Sequence, residues 1–459
     1  MADIDEKIQV KIGLEIHVPL NTQQKLFCEC PTNYYEIDTP NINICPVCTG
    51  MPGAKPWPIN ERALTSAVMV AKLLNCKVSG ENTFVKRKHY NYPDLPSGYQ
   101  RTSEPIGVDG NLEGIGIWEI HFEEDPGRYD LAEGRVDYNR SGVPLIEIVT
   151  APDMHSPDEV RTFLKELINL LKYTERIVEA GGVMRADCNI SIEGGNRVEI
   201  KNINSIKGAY KAISYEIIRQ SNLRKRGGTV IQETRGYNEK SMITIAMRIK
   251  ETADDYRYIP DPDIPPLSFT SEYLEKVKLP ETPHSRRTRL IEKYGLPENY
   301  AQILVKTKEL ADLYEKIAPK TDALIAADWM CREVLRQLNY RGIELEESKL
   351  NEQILLELFN LLKDNTLTEN TGKKILERVI DSGESPQKIV SSEQLGKVSG
   401  TGELGVAADA VLSENAKAVA DYKAGKKETL NFLMGQVMRK MNGRADSKVI
   451  IEILSEKLK

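Results

Sequence analysis

The feature that most constrains this chain is a strict two-residue alternation near its start. Val10, Ile12, Leu14, Ile16 and Val18 are apolar, and Lys11, Gly13, Glu15 and His17 fall between them. Successive strand side chains point to opposite faces, so this segment reads as a strand with one face in a core. The other face carries a carboxylate and an imidazole two residues apart. They project the same way, which suits a divalent ion, a proton-transfer pair, or a merely solvated strand. Met184 to Ser205 repeats the pattern. Arg185, Asp187, Asn189 and Ser191 share a face, Gly194-Gly195-Asn196 makes the turn, and Glu199 and Lys201 continue on the returning strand. The run His121-Phe122-Glu123-Glu124-Asp125 adds three consecutive carboxylates, either an acidic turn before Pro126-Gly127 or a set whose repulsion a cation relieves. Glu147 lies inside the apolar run Val143 to Val149, where an acid is costly to bury unless paired or ligated. Oxygen ligands on strands point to magnesium and phosphoryl chemistry.

The same texture, with many Gly, Pro and Asn turns, runs to about residue 290. Ser156-Pro157-Asp158-Glu159 opens a helix as a capping box with proline at its first position. The proline-rich run Tyr258 to Leu267 reads as the closing edge of this unit. Charged helical segments follow, and Ser399-Gly-Thr-Gly402 reads as a hinge before a last helical stretch. The expected fold is therefore α+β: a mixed-sheet domain over 1–290, an all-α domain over 291–398 and a small helical tail over 399–459. The formal net charge is −6, so any nucleic-acid surface is local. Nothing near Met1 resembles a signal peptide, and no stretch approaches the roughly 20 apolar residues that span a bilayer. The chain is read as cytoplasmic.

An odd count of seven cysteines argues against a disulfide framework. Cys28-x-Cys30 and Cys45-Pro46-Val47-Cys48 are two close pairs separated by a loop. That spacing suits four thiolates on a structural zinc, with Pro46, Thr49 and Gly50 supplying the tight turn. Cys188 alternates with Ala186 and Ile190 and reads as buried. There is no P-loop, nucleophile elbow or Ser-x-x-Lys amidase signature.

Several runs together carry a family resemblance. Lys11-Ile-Gly-Leu-Glu-Ile-His17, Cys45 to Gly53, Lys86 to Pro96, Tyr138 to Val149, Glu199 to Ser205, Asp255 to Pro260 and Leu430 to Met438 resemble the B subunit of the glutamine-dependent Asp/Glu-tRNA amidotransferase. The resemblance runs in order along nearly the whole chain. It implies a cradle-shaped catalytic domain, a helical domain and a tRNA-binding tail. It also implies a reaction: ATP and magnesium phosphorylate the side-chain carboxylate of Glu-tRNA(Gln) or Asp-tRNA(Asn), and ammonia then displaces phosphate. The implied partners are an amidase A subunit that makes the ammonia, a small C subunit, the mischarged tRNA and a non-discriminating aminoacyl-tRNA synthetase.

Carried over by position, the resemblance places Glu15, His17 and Glu124 around magnesium, with Glu147 and Asp187 beside them. Lys88, Arg140, Arg185 and Lys201 are candidates for steadying phosphate or carboxylate; His17 is either a ligand or a proton acceptor from ammonium. Cys28, Cys30, Cys45 and Cys48 are expected on structural zinc. Lys423, Lys426, Lys427, Arg439, Lys440 and Arg444 form the expected tRNA-binding cluster of the tail, and Arg219, Arg224, Lys225 and Arg226 form a second basic group. Arg101-Thr102 departs from the family's more usual Ile-Ser. An archaeal paralogue specific for Glu-tRNA carries a large insert before its helical region, whereas here Asp263 reaches the helices within about thirty residues, an ordinary loop allowance.

Overall fold

The computed structural model describes residues 9–80, 82–130, 133–178, 184–248, 256–393, 395–396, 401–423, 425–441 and 443–458. Asp255 and the hinge residues Ser399 and Gly400 lie outside them. The chain forms two compact units, Met1–Glu281 and Thr282–Lys459.

The strands of the first unit are β1 (Val10–Pro19), β2 (Lys77–Val78), β3 (Val85–His89), β4 (Tyr99–Ser103), β5 (Gly107–Leu112), β6 (Ile115–Glu124), β7 (Arg128–Asp130) and β8 (Arg135–Asp137). They continue with β9 (Pro144–Thr150), β10 (Arg185–Ile192), β11 (Val198–Ile203), β12 (Glu233–Asn238), β13 (Ile243–Arg248) and β14 (Ile259–Pro260). Twelve of them make one mixed sheet in the order β13-β12-β11-β10-β1-β9-β6-β4-β3-β14, with β2 and β5 branching from β6. The β11–β12 pair is parallel and the other neighbours run antiparallel. β1 lies centrally, between β10 and β9. The proline-rich run closes one edge as expected, with Ile259 and Pro260 paired to Arg87 and Lys86.

The alternation decides which way each strand faces. Ile12, Leu14, Ile16 and Val18 are buried in one core with Ile146 and Ile148 of β9 and Ala186, Cys188 and Ile190 of β10. Helices α1 (Glu61–Leu73), α2 (Pro157–Lys172) and α3 (Ile206–Lys225) add their apolar stripes to that core. α2 starts where its cap predicts: the Ser156 hydroxyl accepts the Glu159 N–H at 3.2 Å. Because this core fills one side of the sheet, the polar residues of β1, β9 and β10 share the other.

A short helix, α4 (Ser271–Lys276), ends the first unit. The second unit is helical: α5 (Pro283–Tyr294), α6 (Glu298–Leu304), α7 (Lys308–Ile317), α8 (Ala323–Trp329), α9 (Leu335–Arg341), α10 (Glu352–Lys363), α11 (Glu369–Ser382) and α12 (Pro386–Ser392) surround one core. α13 (Thr401–Glu414), α14 (Ala416–Lys423), α15 (Thr429–Lys440) and α16 (Ser447–Lys457) surround another. Thr368 joins the two through a 2.7 Å bond to the Gly443 carbonyl.

Candidate functional site

Strand register builds the site. His17 stands opposite Glu147 on β9 and Arg185 on β10, and Glu15 stands opposite Asp187. On β6, His121 faces Glu147, and Glu123 shares its parity. His17 Nε2 lies 3.6 Å from Glu147 Oε1 and 3.7 Å from Glu123 Oε2. One ligand atom each from His17, Glu123 and Glu147 falls within 4.8 Å of the others. Glu15, Asp187 and Glu199 form a second such group. There Asn189 donates to Glu15 at 2.8 Å, and the Lys201 ammonium sits 2.7 Å from Asp187 and 3.4 Å from Glu199. A cavity of about 250 Å³ is lined by Glu15, His17, Lys88, Glu123, Glu147 and Asp187, among others. An adjoining one of about 720 Å³ shares Glu15, Lys88, Glu123 and Glu147 and adds Tyr256 and Tyr258.

The charges of the first group depend on one another. Burial, then the neighbouring Glu123, pushes the Glu147 carboxyl up to about 7 against the pull of His17 and Lys88. Burial pushes Glu123 up as well, but Lys88, His17 and a Thr102 hydrogen bond together hold it below the ordinary carboxylate range. A buried and a half-buried carboxylate thus share one locus, and a divalent cation would relieve the repulsion. Two carboxylates, an imidazole and an adjoining cavity fit such an ion. Lys88, disfavoured by burial but favoured more by Glu123 and Glu147, keeps its proton and lies over the Tyr256 ring at 5.1 Å. Arg185 grips the buried Asp125 with two 2.7 Å bonds. Arg140 lies 3.6 Å from the same carboxylate and donates to the Pro126 and Gly127 carbonyls.

Glu124 is not brought to this group. It follows Glu123 on an extended strand, so its side chain leaves by the opposite face. There it lies 3.3 Å from Arg101, and burial raises its carboxyl despite that partner. Glu15, expected beside His17 on one ion, belongs instead to the second group. Sequence reasoning placed Glu123 in the acidic run but took Glu124 as the ligand, although the parity of Glu123 with His121 was a usable signal. It also missed the Gln100 side chain, for which no local signal exists, and Asp125, read only as part of the acidic run, serves to orient Arg185.

The four cysteines do converge: Cys28, Cys30, Cys45 and Cys48 each offer a sulfur within 4.8 Å of the rest, with Cys30 and Cys48 3.9 Å apart. A zinc tetrahedron with arms of about 2.3 Å needs sulfurs about 3.8 Å apart, so the set fits. The turn forms as expected, with Thr49 Oγ1 bonded to the Cys45 carbonyl at 2.8 Å. Gly50 has φ +63 and a Cβ there would meet the Ser97 nitrogen at 2.8 Å, so only glycine fits. The fully buried Lys25 places its ammonium 3.4 Å from Cys48 Sγ and donates to the Asn43 carbonyl at 2.8 Å. A hydrogen bond from Cys28 and the Lys25 charge hold the Cys48 thiol down to about 5, while the hydrogen bond to Cys48, then burial, pushes Cys28 up. Cys188 is buried on the core face.

In the tail, Lys423, Lys427 and Arg439 are exposed, whereas Lys426 pairs with Asp421 at 3.1 Å and Lys440 with Glu414 at 2.5 Å. Arg444 follows α15 and is half-buried. Arg219 is tied to the fully buried Glu216 and to Glu233. Among the described residues no helix is long and apolar enough to cross a membrane.

Comparison with known proteins matches residues 10–275 to the GatB/GatE catalytic domain and residues 312–458 to the GatB domain. The B subunit of the aspartyl/glutamyl-tRNA(Asn/Gln) amidotransferase of Methanothermobacter thermautotrophicus is 51% identical over 98% of this chain and 100% of its own length. Its namesake from Methanocaldococcus jannaschii is 50% identical over 99% and 98%, and that from Methanopyrus kandleri 50% over 98% of each.

Proposed function

This chain belongs to the GatB/GatE family of amidotransferase B subunits, and from that premise we propose how its sheet face performs the reaction. The protein is a component of a multi-subunit, glutamine-dependent tRNA amidotransferase, a ligase serving protein synthesis, and the family implies ATP use. In our reading the substrate is Glu-tRNA(Gln), Asp-tRNA(Asn) or both. A carboxylate is a poor acyl donor, so its side-chain oxygen first attacks the γ-phosphorus of ATP and ADP leaves. Ammonia then attacks the acyl phosphate, phosphate departs, and the amide remains. The ammonia comes from an amidase A subunit, with a small C subunit completing a cytoplasmic heterotrimer. A non-discriminating aminoacyl-tRNA synthetase supplies the mischarged tRNA.

The observation that carries this reading is the convergence of His17, Glu123 and Glu147 beside the cavity. We assign magnesium to these three side chains, with Glu123 replacing Glu124. The ion would offset the charge of the two anions that must meet, the substrate carboxylate and the ATP phosphates. Lys88 presents a retained positive charge at the same wall. Arg185, oriented by Asp125, and Lys201, held by Asp187, flank the cavity and steady the incoming anions. Glu15 and Asp187 anchor Asn189 and Lys201. The four-cysteine module is structural: four sulfur ligands leave no open position. The tail's basic residues contact tRNA phosphates.

Reconstituting the chain with its amidase partner tests the reading directly. Amidation of a mischarged tRNA should require glutamine, ATP and magnesium together. Activity that survives complete removal of magnesium would overturn the metal assignment.

A further inference from the structure

We propose that Gln100 is a positioning residue for Glu123, locked in its working orientation by the Tyr90 hydroxyl. The inference rests on reading His17, Glu123 and Glu147 as the divalent-cation site. Gln100 lies on β4 and is 6% exposed. Its Nε2 is 3.0 Å from Glu123 Oε2 and 2.8 Å from the Glu124 carbonyl oxygen. The Glu124 backbone carbonyl can only accept, and it is the nearer of the two. The amide must therefore place its nitrogen there; the flipped amide would set its oxygen against the carbonyl oxygen. Its Oε1 is then the acceptor for the Tyr90 hydroxyl, at 3.0 Å. Tyr90 donates, Gln100 relays, and one oxygen of Glu123 is fixed.

This arrangement does two things. It pins Glu123 and the Glu124 backbone with one side chain, at the point of β6 where successive carboxylates leave by opposite faces. It also orients a carboxylate without neutralising it. A lysine at this place would hold Glu123 equally well but cancel the charge a cation needs. A neutral amide leaves the negative charge intact. Outer partners that orient ligating carboxylates typically change metal affinity by about 10–100-fold when removed.

The test is Mn²⁺ binding to the full-length chain, followed by electron paramagnetic resonance of free Mn²⁺, beside the Mg²⁺ dependence of amidation in the reconstituted complex. Gln100→Leu keeps bulk and loses both donors. It should weaken Mn²⁺ binding by about 10–100-fold and raise half-saturating Mg²⁺ in parallel, with turnover largely recovered at high Mg²⁺. Tyr90→Phe removes one hydroxyl and should shift both in the same direction by less; it serves if the leucine variant fails to fold. If the wild type binds Mn²⁺ and the folded variants bind it equally, Gln100 is only a packing residue and the proposal is overturned. If the wild type binds no Mn²⁺, the site reading and the proposal fall together.

Discussion

Adjacent side chains on one strand can have opposite roles, and Glu123 and Glu124 are the case in point. Glu123 faces His17 and Glu147, while Glu124 serves the buried guanidinium of Arg101. Glu123→Gln should cut transamidation by about 100-fold or more, since an ion of this kind supplies several kcal/mol of charge stabilisation, and should leave tRNA binding and melting temperature near wild type. Glu124→Gln should instead lower the melting temperature, because Arg101 keeps its charge and loses a partner, while turnover per folded molecule changes less. Kinetics and calorimetry on both variants separate the roles, and the opposite pattern would restore Glu124 to the site. The same residue-level logic applies to zinc. Cys45→Ser should lower bound zinc and stability, with turnover per folded molecule retained. Lys25→Met should speed zinc loss to a chelator, because four thiolates on one divalent ion carry excess negative charge that the buried ammonium offsets.

Among the elements, β1 is the most legible in the sequence. Its alternation predicts a strand with Glu15 and His17 on one face, and the structure has that strand in the middle of the sheet. The β10–β11 hairpin and the cap of α2 are legible for the same reason: each rests on local periodicity or local hydrogen bonding. Which strands lie side by side is not local. That His17 meets Glu147 depends on β1 pairing with β9 across more than a hundred residues of chain. Gln100 joins the site only because β4 lies beside β6. Another long-range contact yields a pH prediction. Asp261, just after β14, bonds Arg87 at 2.9 Å and Arg101 at 2.8 Å. Burial raises its carboxyl, but the two guanidinium groups outweigh that and hold it below the ordinary aspartate range. A depressed native value means the stabilisation is present above the unfolded aspartate value and is lost as pH falls through the native one. Asp261→Asn should therefore destabilise the protein at neutral pH and flatten the acid limb of its stability curve. An unchanged limb in acid titration followed by circular dichroism would refute this.

At the scale of the whole molecule, a chain of net charge −6 must bind a polyanion through a local patch, against a repulsive average field. The tail holds six candidate cations, but they are unequal. Lys426 and Lys440 spend part of their charge on Asp421 and Glu414, whereas Lys423, Lys427 and Arg439 are exposed around the α14–α15 connection and the end of α15. Phosphate contacts release counterions, so each true contact contributes about 0.7–0.9 to the slope of log affinity against log salt. Lys427→Glu with Arg439→Glu should therefore weaken tRNA binding most at low salt, reduce that slope by roughly one to two, and raise KM for the mischarged tRNA while leaving kcat near wild type. Lys426→Ala should do much less, because that ammonium is already engaged by Asp421 rather than free for a phosphate. Filter-binding isotherms at several salt concentrations, run beside steady-state kinetics, distinguish these outcomes. A double variant with an unchanged slope would show that the tRNA is held elsewhere on the protein, and a fall in kcat alone would mean that the tail acts on the chemical step.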